Sequence, residues 1–194
     1  MTTVPTASKP VRSSAIRQIV IAALLIAVGV VIPMYSPLKV VIEPASFTLA
    51  SHVAIFIGMF VSPWVAIGVA LGTTAGFFAG GFPLVVVARA LSHVIWAFGG
   101  ALWLRRHPET LNSARKVVAF AAVIAVVHAM CEVAAVTPFF FMGQMPPGFY
   151  EGGGFTVFVL GLVGGGTVIH SLVDTAIALF IWRPLARAGL VGER

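Results

Sequence analysis

Hydrophobic residues fill most of the chain in long runs, and short stretches rich in proline, glycine or charge separate these runs. Uninterrupted hydrophobic runs of this kind predict helices within a bilayer, whose hydrocarbon core of about 30 Å takes about 20 helical residues. We predict six segments, at 15–35, 47–61, 64–78, 82–104, 117–136 and 156–182. The second and third have about 15 residues each, so we expect them to be tilted or only partly buried.

The stretches between the hydrophobic runs indicate where segments end and how the chain is divided into tails and a transmembrane domain. Ser62-Pro63 and Gly80-Gly81 punctuate the early segments, and a charged stretch over 105–116 precedes the fifth. We expect a cytoplasmic tail over 1–14, a single transmembrane domain over 15–184 and a second cytoplasmic tail over 185–194. The run over 15–35 exceeds the 7–15 residues of a signal-peptide core, so we expect it to stay in the mature protein.

Composition supports an integral membrane protein. Hydrophobic residues make up 59% of the chain and charged residues 9%, whereas ordinary globular domains carry roughly a quarter charged residues. No separate soluble domain fits beside six spans. The single cysteine, Cys131, excludes an intramolecular disulfide and a cysteine-based metal site.

The basic residues predict the orientation. With a cytoplasmic N-terminus, ten of them lie on the inner side and only Lys39 lies in an outer loop. The inner residues are Lys9, Arg12, Arg17, Arg105, Arg106, Arg115, Lys116, Arg183, Arg187 and Arg194. We therefore predict an all-α bundle of six transmembrane helices with both termini cytoplasmic. The net charge of +6 reflects this orientation and offers no patch for nucleic acid.

Three polar pairs interrupt the hydrophobic segments at the spacing of one helical turn. They are Arg89/His93, His128/Glu132 and His170/Asp174. A charge at the bilayer centre costs about 2.5–3.5 kcal/mol on the insertion scale, and residues four apart share one face of a helix. The pairs predict a polar pocket between the helices. The positions of most of these residues along their segments place the pocket in the outer half of the bundle.

Candidate roles follow from the side chains. Arg89 is either a ligand for an anion or one member of a structural ion pair with Glu132. His93 and Trp96 share its helical face and offer a hydrogen bond and a flat ring, although Trp96 equally suits simple packing. We include His52, at the start of the second segment, among the candidate binding residues.

The other two polar pairs differ in their expected roles. His128 and Glu132 are candidate ligand contacts, because interhelical hydrogen bonds contribute only about 0.6 kcal/mol on average and explain a buried carboxylate poorly. Asp174 lies too deep for an outward-facing pocket. For His170 and Asp174 we therefore expect pairing between helices or contact with a partner subunit.

Four histidines lie on four segments near carboxylates, which is a pattern that could bind a metal ion: His52, His93, His128 and His170. Against a metal site stands the permanent positive charge of Arg89, so no metal is predicted. The chain lacks His-Glu-x-x-His, Gly-x-Ser-x-Gly and a Walker lysine motif. We therefore expect neither an enzyme nor an ATPase, and no cofactor.

Small residues mark surfaces for close helix approach. Ala23 and Ala27 form such a stripe on the first segment, for packing within the chain or against another protein. Gly68, Gly72 and Gly76 repeat every four residues in the third segment, where packing within the chain is the simpler explanation.

The motifs together resemble a known family. The Ala-x-x-x-Ala stripe, the long first outer loop and the outer pocket resemble the substrate-binding S components of energy-coupling factor vitamin transporters. The stretch ASFTLASHVAIFIGMFVSP over 45–63, with Gly76-Phe-Phe and Arg89-Ala-Leu-Ser-His93, resembles the niacin-type branch in particular.

The resemblance implies a division of labour in a bacterial plasma membrane. An S component captures a vitamin from outside, and a transmembrane coupling subunit with two ATPase subunits drives its uptake. Ala23 and Ala27 would face the coupling subunit, and the loop over 36–46 would act as a lid. Cobalt and nickel members use an N-terminal histidine, which Met1-Thr2-Thr3-Val4 lacks.

Niacin agrees with the candidate residues. Arg89 would bind its carboxylate, His93 or His128 its ring nitrogen, and Trp96 its ring. If Glu132 neutralises Arg89, the pocket instead suits a neutral ligand, and pantothenate or a thiamin precursor stays open. A stand-alone transporter or channel, and an intramembrane enzyme using His128 and Glu132, are the alternatives from other classes.

Overall fold

Helices dominate the computed structural model, which describes residues 11–42 and 45–189. Six α-helices occur in these residues: α1 Val11–Tyr35, α2 Val53–Val61, α3 Pro63–Ala79, α4 Leu84–Arg106, α5 Ala114–Phe141 and α6 Gly166–Arg187. A π-helix over Phe155–Gly165 runs directly into α6, and 3-10 turns cover Pro108–Asn112 and Pro147–Phe149. Most of the predicted N-terminal tail and the end of the predicted C-terminal tail, residues 1–10 and 190–194, lie outside the described residues.

Four helical stretches are long and apolar enough to cross a membrane. They are Ala15–Tyr35, Leu84–Arg106, Ala114–Phe141 and Phe155–Arg187. Helix α3 is apolar but has only 17 residues, and α2 has nine. The chain is thus a helical multi-pass membrane protein, while the count of six spans and the placement of the termini stay predictions.

The predicted second segment, 47–61, is wrong in its first part. Residues Lys39–Ile42 form strand β1, which pairs antiparallel with strand β2 over Ala45–Thr48, and α2 begins only at Val53. The hydrophobic run predicted a helix because hydrophobicity alone does not separate a buried strand from a buried helix. The hairpin satisfies the backbone groups of these residues by strand pairing instead.

Helix α2 lies at the centre of the bundle. Every residue from Val53 to Phe60 is buried, and α1, α3, α4 and α6 all pack against this short helix. Phe60 packs edge to face on Trp182 of α6 at 5.6 Å between ring centroids. The central position of α2 places its N-terminus, with His52, in the interior of the protein.

Glycines of α3 allow α1 to approach closely. A methyl group added at Gly72 would collide with Ile26, and one added at Gly76 would collide with Val30. The glycine repeat therefore serves packing within the chain.

The opposite face of α1 is unpaired in the described residues. Ala23 and Ala27 are exposed there, together with Leu24 and Val28.

Candidate functional site

A cavity of about 340 Å³ opens at the end of the bundle where α1 ends and α4 begins. All six α-helices and the β-hairpin contribute to its wall. Charged and imidazole side chains at the wall are Lys39, His52, Arg89, His93, Glu132 and His170. Under the predicted orientation this end of the bundle faces outward.

Glu132 joins the polar pairs of α4 and α5. Its Oε2 accepts a hydrogen bond from Nε of Arg89, and its Oε1 lies 3.0 Å from Nε2 of His93. Nε2 of His128 is 3.5 Å from the same Oε1. Glu132 and His128 are almost completely buried. The two i, i+4 pairs, from neighbouring helices, therefore meet at a single carboxylate.

The pairing with Glu132 occupies only one nitrogen of Arg89. In the described part of the chain, the Nη atoms of this guanidinium make no hydrogen bond, and the side chain is 24% exposed at the cavity wall. A planar guanidinium presents a second edge with two further donors. Arg89 can thus hold Glu132 and still bind an anion in the cavity.

Asp174 of α6 organises the turn that precedes α2. Its Oδ1 accepts a hydrogen bond from the backbone N–H of Ala50, and its Oδ2 accepts one from the backbone N–H of His52, each at 2.8 Å. Ala50 has a φ of 66°, in the left-handed region that a residue with a Cβ adopts at a cost. The carboxylate therefore stabilises an irregular turn by accepting two of its backbone N–H groups.

His52 is the centre of a group of four imidazole rings. Its ring centroid lies 4.9 Å from that of His93, 4.7 Å from that of His128 and 5.0 Å from that of His170. Oγ of Ser51 lies 2.9 Å from Nε2 of His170, which connects this group to α6. The turn before α2 thus brings together residues from α4, α5 and α6.

The structure separates the six predicted binding residues into two layers. His52, Arg89, His93 and Glu132 line the cavity, whereas Trp96 and His128 do not. The ring of Trp96 stacks on that of His128 at 4.5 Å, and both side chains are buried. Trp96 follows Arg89 by seven residues, about 10 Å along the helix axis, which takes it past the cavity.

Sequence reasoning missed several residues of the wall. Lys39 of β1 and the aromatic residues Phe47, Phe77 and Phe82 line the cavity. Lys39 carried a signal, because it is the only basic residue in the predicted outer loops. The hydrophobic pattern around Phe47 predicts a helix instead of a strand, so the position of this ring could not be predicted.

The β-hairpin packs closely on α6. A Cβ added at Gly166 would lie 2.6 Å from Cζ of Phe47, so only glycine leaves room for this ring. Phe47 also contacts the ring of His170 at 5.8 Å between centroids. The hairpin is therefore held over the cavity by its packing on α6.

The charges of the cavity wall favour a small anion. Arg89 and Lys39 supply two basic side chains, and Glu132 supplies one carboxylate that Arg89 already pairs. Hydrogen bonds between cationic donors and a carboxylate are shorter and stronger than neutral ones. The phenylalanine rings supply apolar surface for a flat ligand.

Comparison with known proteins gives one informative match. No family model and no solved structure matches the chain. The chain is 36% identical over 178 residues to the niacin transporter NiaX of Lactococcus lactis subsp. cremoris (strain MG1363), and the match covers 91% of this chain and 78% of the relative.

Proposed function

The chain belongs to the family of the niacin transporter NiaX, a niacin-type branch of the S components, and on this premise we propose that it captures niacin outside the cell for ATP-driven uptake. The proposal assigns it no catalytic step of its own. A transmembrane coupling subunit and two ATPase subunits would supply the energy.

The cavity carries this proposal. Ligand pockets typically have volumes of about 300–1,000 Å³, so a cavity of about 340 Å³ suits a small ligand. The free edge of Arg89 and the amine of Lys39 would bind the niacin carboxylate. The ring would lie against Phe47 and Phe77.

The imidazoles supply the rest of the recognition. His52 or His93 would donate a hydrogen bond to the ring nitrogen, since both line the cavity. Glu132 would hold Arg89 in position, while His128 and Trp96 would support His93 from behind. Lys39 also bears on the neutral-ligand alternative, because it adds a cation that Glu132 does not pair.

The exposed small-residue face of α1 suits the proposed coupling partner. Ala23 and Ala27 have small side chains, against which a helix of the coupling subunit could pack closely. This face lies apart from the cavity, whose α1 residues are Gly29 and Pro33. Ligand capture and partner docking would therefore use different surfaces.

Calorimetry with matched ligands tests the proposal. We expect purified protein in detergent to bind nicotinate, and to bind nicotinamide about ten- to a hundredfold more weakly, because the amide has the same shape without the charge. Pantothenate tests the size of the cavity in the same titration. Equal or tighter binding of nicotinamide or pantothenate would contradict the assignment of niacin.

A further inference from the structure

Three histidines and one glutamate form a compact group beside the cavity. We propose that this group, His52, His93, His128 and Glu132, is a binding site for a late first-row transition metal ion, with Zn²⁺ as the representative. One donor atom of each residue lies within 4.8 Å of the donor atoms of the other three. The site goes beyond the proposed function and does not rest on it, although it shares His52 and His93 with the proposed vitamin site.

The spacing of the donor atoms fits tetrahedral coordination. Zn²⁺ bonds to imidazole nitrogen and carboxylate oxygen at about 2.0–2.2 Å, which separates neighbouring ligand atoms by about 3.3 Å. Oε1 of Glu132 lies 3.0 Å from Nε2 of His93 and 3.5 Å from Nε2 of His128. Both of these distances are close to the required spacing, and one ring nitrogen of His52 lies within 4.8 Å of the other three donor atoms.

His128 provides independent support. Its Nε2 is buried and makes no hydrogen bond in the described part of the chain, while its Nδ1 lies 3.3 Å from Oγ of Ser171. If Nδ1 donates its proton to Ser171, Nε2 presents a lone pair near Oε1 of Glu132. Two electron-rich atoms then face each other in the interior, and a metal ion would bind both.

Three of the four ligands already have the outer partners that are typical of metal sites. Nδ1 of His52 lies 3.3 Å from Oδ2 of Asp174, Nδ1 of His128 contacts Ser171, and Oε2 of Glu132 pairs with Arg89. Such partners fix the orientation of ligating imidazoles and carboxylates. From the sequence, the positive charge of Arg89 predicts that no metal ion binds here. In the structure this charge is paired with Oε2, which leaves Oε1 for the ion.

A site with four protein ligands is typical of structural metal ions. The ligands come from the turn before α2, from α4 and from α5, so the ion would fasten the irregular turn to both long helices. The neighbouring group of His52, His170 and Asp174 is a weaker candidate. Both oxygens of Asp174 already accept backbone N–H groups, at Ala50 and His52.

Metal binding can be measured on the full chain without any vitamin. Protein purified in detergent and treated with a chelator would be titrated with Zn²⁺ by calorimetry and with Co²⁺ by visible absorption. We expect one ion per chain, the intense visible bands of tetrahedral Co²⁺, and a rise in melting temperature with Zn²⁺. Absence of stoichiometric binding, or weak octahedral Co²⁺ bands, would overturn the proposal.

Substitutions locate the ion. His128→Asn preserves a polar atom near the position of Nδ1 and removes Nε2, and we expect it to abolish Zn²⁺ binding. His107→Asn is the matched control, because His107 follows α4 at the other end of this helix and lies outside the group. Ser171→Ala leaves all four ligands in place and should weaken Zn²⁺ binding by about 10–100-fold. If His128→Asn does not fold, Ser171→Ala provides the test.

The outcomes separate this proposal from the proposed function. Zn²⁺ binding that persists in both His128→Asn and Ser171→Ala, or that is lost in His107→Asn, would overturn the metal site. Nicotinate titrations are made on chelated protein and on Zn²⁺-loaded protein, and binding in either state counts as nicotinate binding. Nicotinate binding without Zn²⁺ binding would overturn the metal site alone, and Zn²⁺ binding without nicotinate binding would overturn the vitamin assignment alone.

Discussion

Glu132 connects three polar side chains of α4 and α5. One of its oxygens pairs with Arg89, and the other faces His93 and His128. Because this carboxylate is buried, its partners determine whether its charge is tolerated. The residues that touch it therefore affect stability and ligand binding together, and tests at this scale must separate the two.

Arg89→Lys separates binding from stability. Lysine keeps a positive charge beside Glu132 but lacks the second edge of donors, so we expect a fold close to the wild type and nicotinate affinity lower by about ten- to a hundredfold. Calorimetry measures the affinity and a thermal melt checks the fold. Arg106→Lys, at the exposed end of α4, is the control. Unchanged affinity in Arg89→Lys would remove this residue from the site.

Glu132→Gln is expected to lower stability as well as affinity. It leaves the guanidinium of Arg89 without its counter-ion, and breaking a buried pair costs about 3–5 kcal/mol. Because Arg89 is partly exposed, we expect a loss of up to about 3 kcal/mol. Thermal melts without ligand measure this loss, and Glu109→Gln, at an exposed side chain of the 3-10 turn before α5, is the control. A wild-type melting temperature would show that the ion pair is not structural.

At the scale of elements, the junction between the hairpin and α2 depends on a residue more than 120 positions away in the chain. Asp174 fixes the backbone of Ala50 and His52, and α2 then begins at Val53. The irregular turn thus takes its hydrogen bonds from α6. Its geometry should respond to changes in α6 as strongly as to changes in the turn itself.

Two substitutions at this junction should act in opposite directions. Asp174→Ala removes acceptors from two backbone N–H groups, and hydrogen bonds to charged groups are worth about 1.5–3 kcal/mol, so we expect a lower melting temperature. Ala50→Gly relieves the cost of a left-handed backbone and should raise stability by up to about 1 kcal/mol. A destabilised Ala50→Gly protein would contradict the strain assigned to this turn.

The helices α4 and α5 could be predicted because long hydrophobic runs with clear polar ends specify them. The polar residues of these helices were also identified, since a charge within a span stands out against its surroundings. The hairpin could not be predicted, because Ala45-Ser-Phe-Thr is compatible with a strand or a buried helix. The hydrogen bonds from the turn before α2 to Asp174, and the two-layer arrangement of Arg89 and Trp96, depend on contacts between helices. A single sequence does not specify such contacts.

At the scale of the whole molecule, α1 contacts the bundle on one side and is exposed on the other. The exposed side carries Ala23 and Ala27, and the cavity uses a different part of the helix. The two proposed activities, capture and docking, can therefore be removed one at a time.

The double substitution Ala23→Trp/Ala27→Trp should block docking alone. Two indoles would prevent close helix approach, so we expect nicotinate binding by the isolated protein to persist and ATP-dependent uptake with the coupling subunit and ATPases to be lost. Ala122→Trp/Val126→Trp, at the same spacing on an exposed face of α5, is the control. Uptake that persists in the α1 variant would exclude this docking surface. Accumulation by the wild-type chain without any ATPase would exclude energy coupling.

The length of α2 has a consequence for how the protein enters the membrane. Nine helical residues extend about 13 Å, less than half of the hydrocarbon thickness, so this helix is too short to insert as an independent span. It must enter together with α3, from which only Ser62 separates it. The N–H groups before α2 then lack their acceptor until Asp174 is synthesised near the end of the chain. The binding site can therefore be complete only after α6 has inserted.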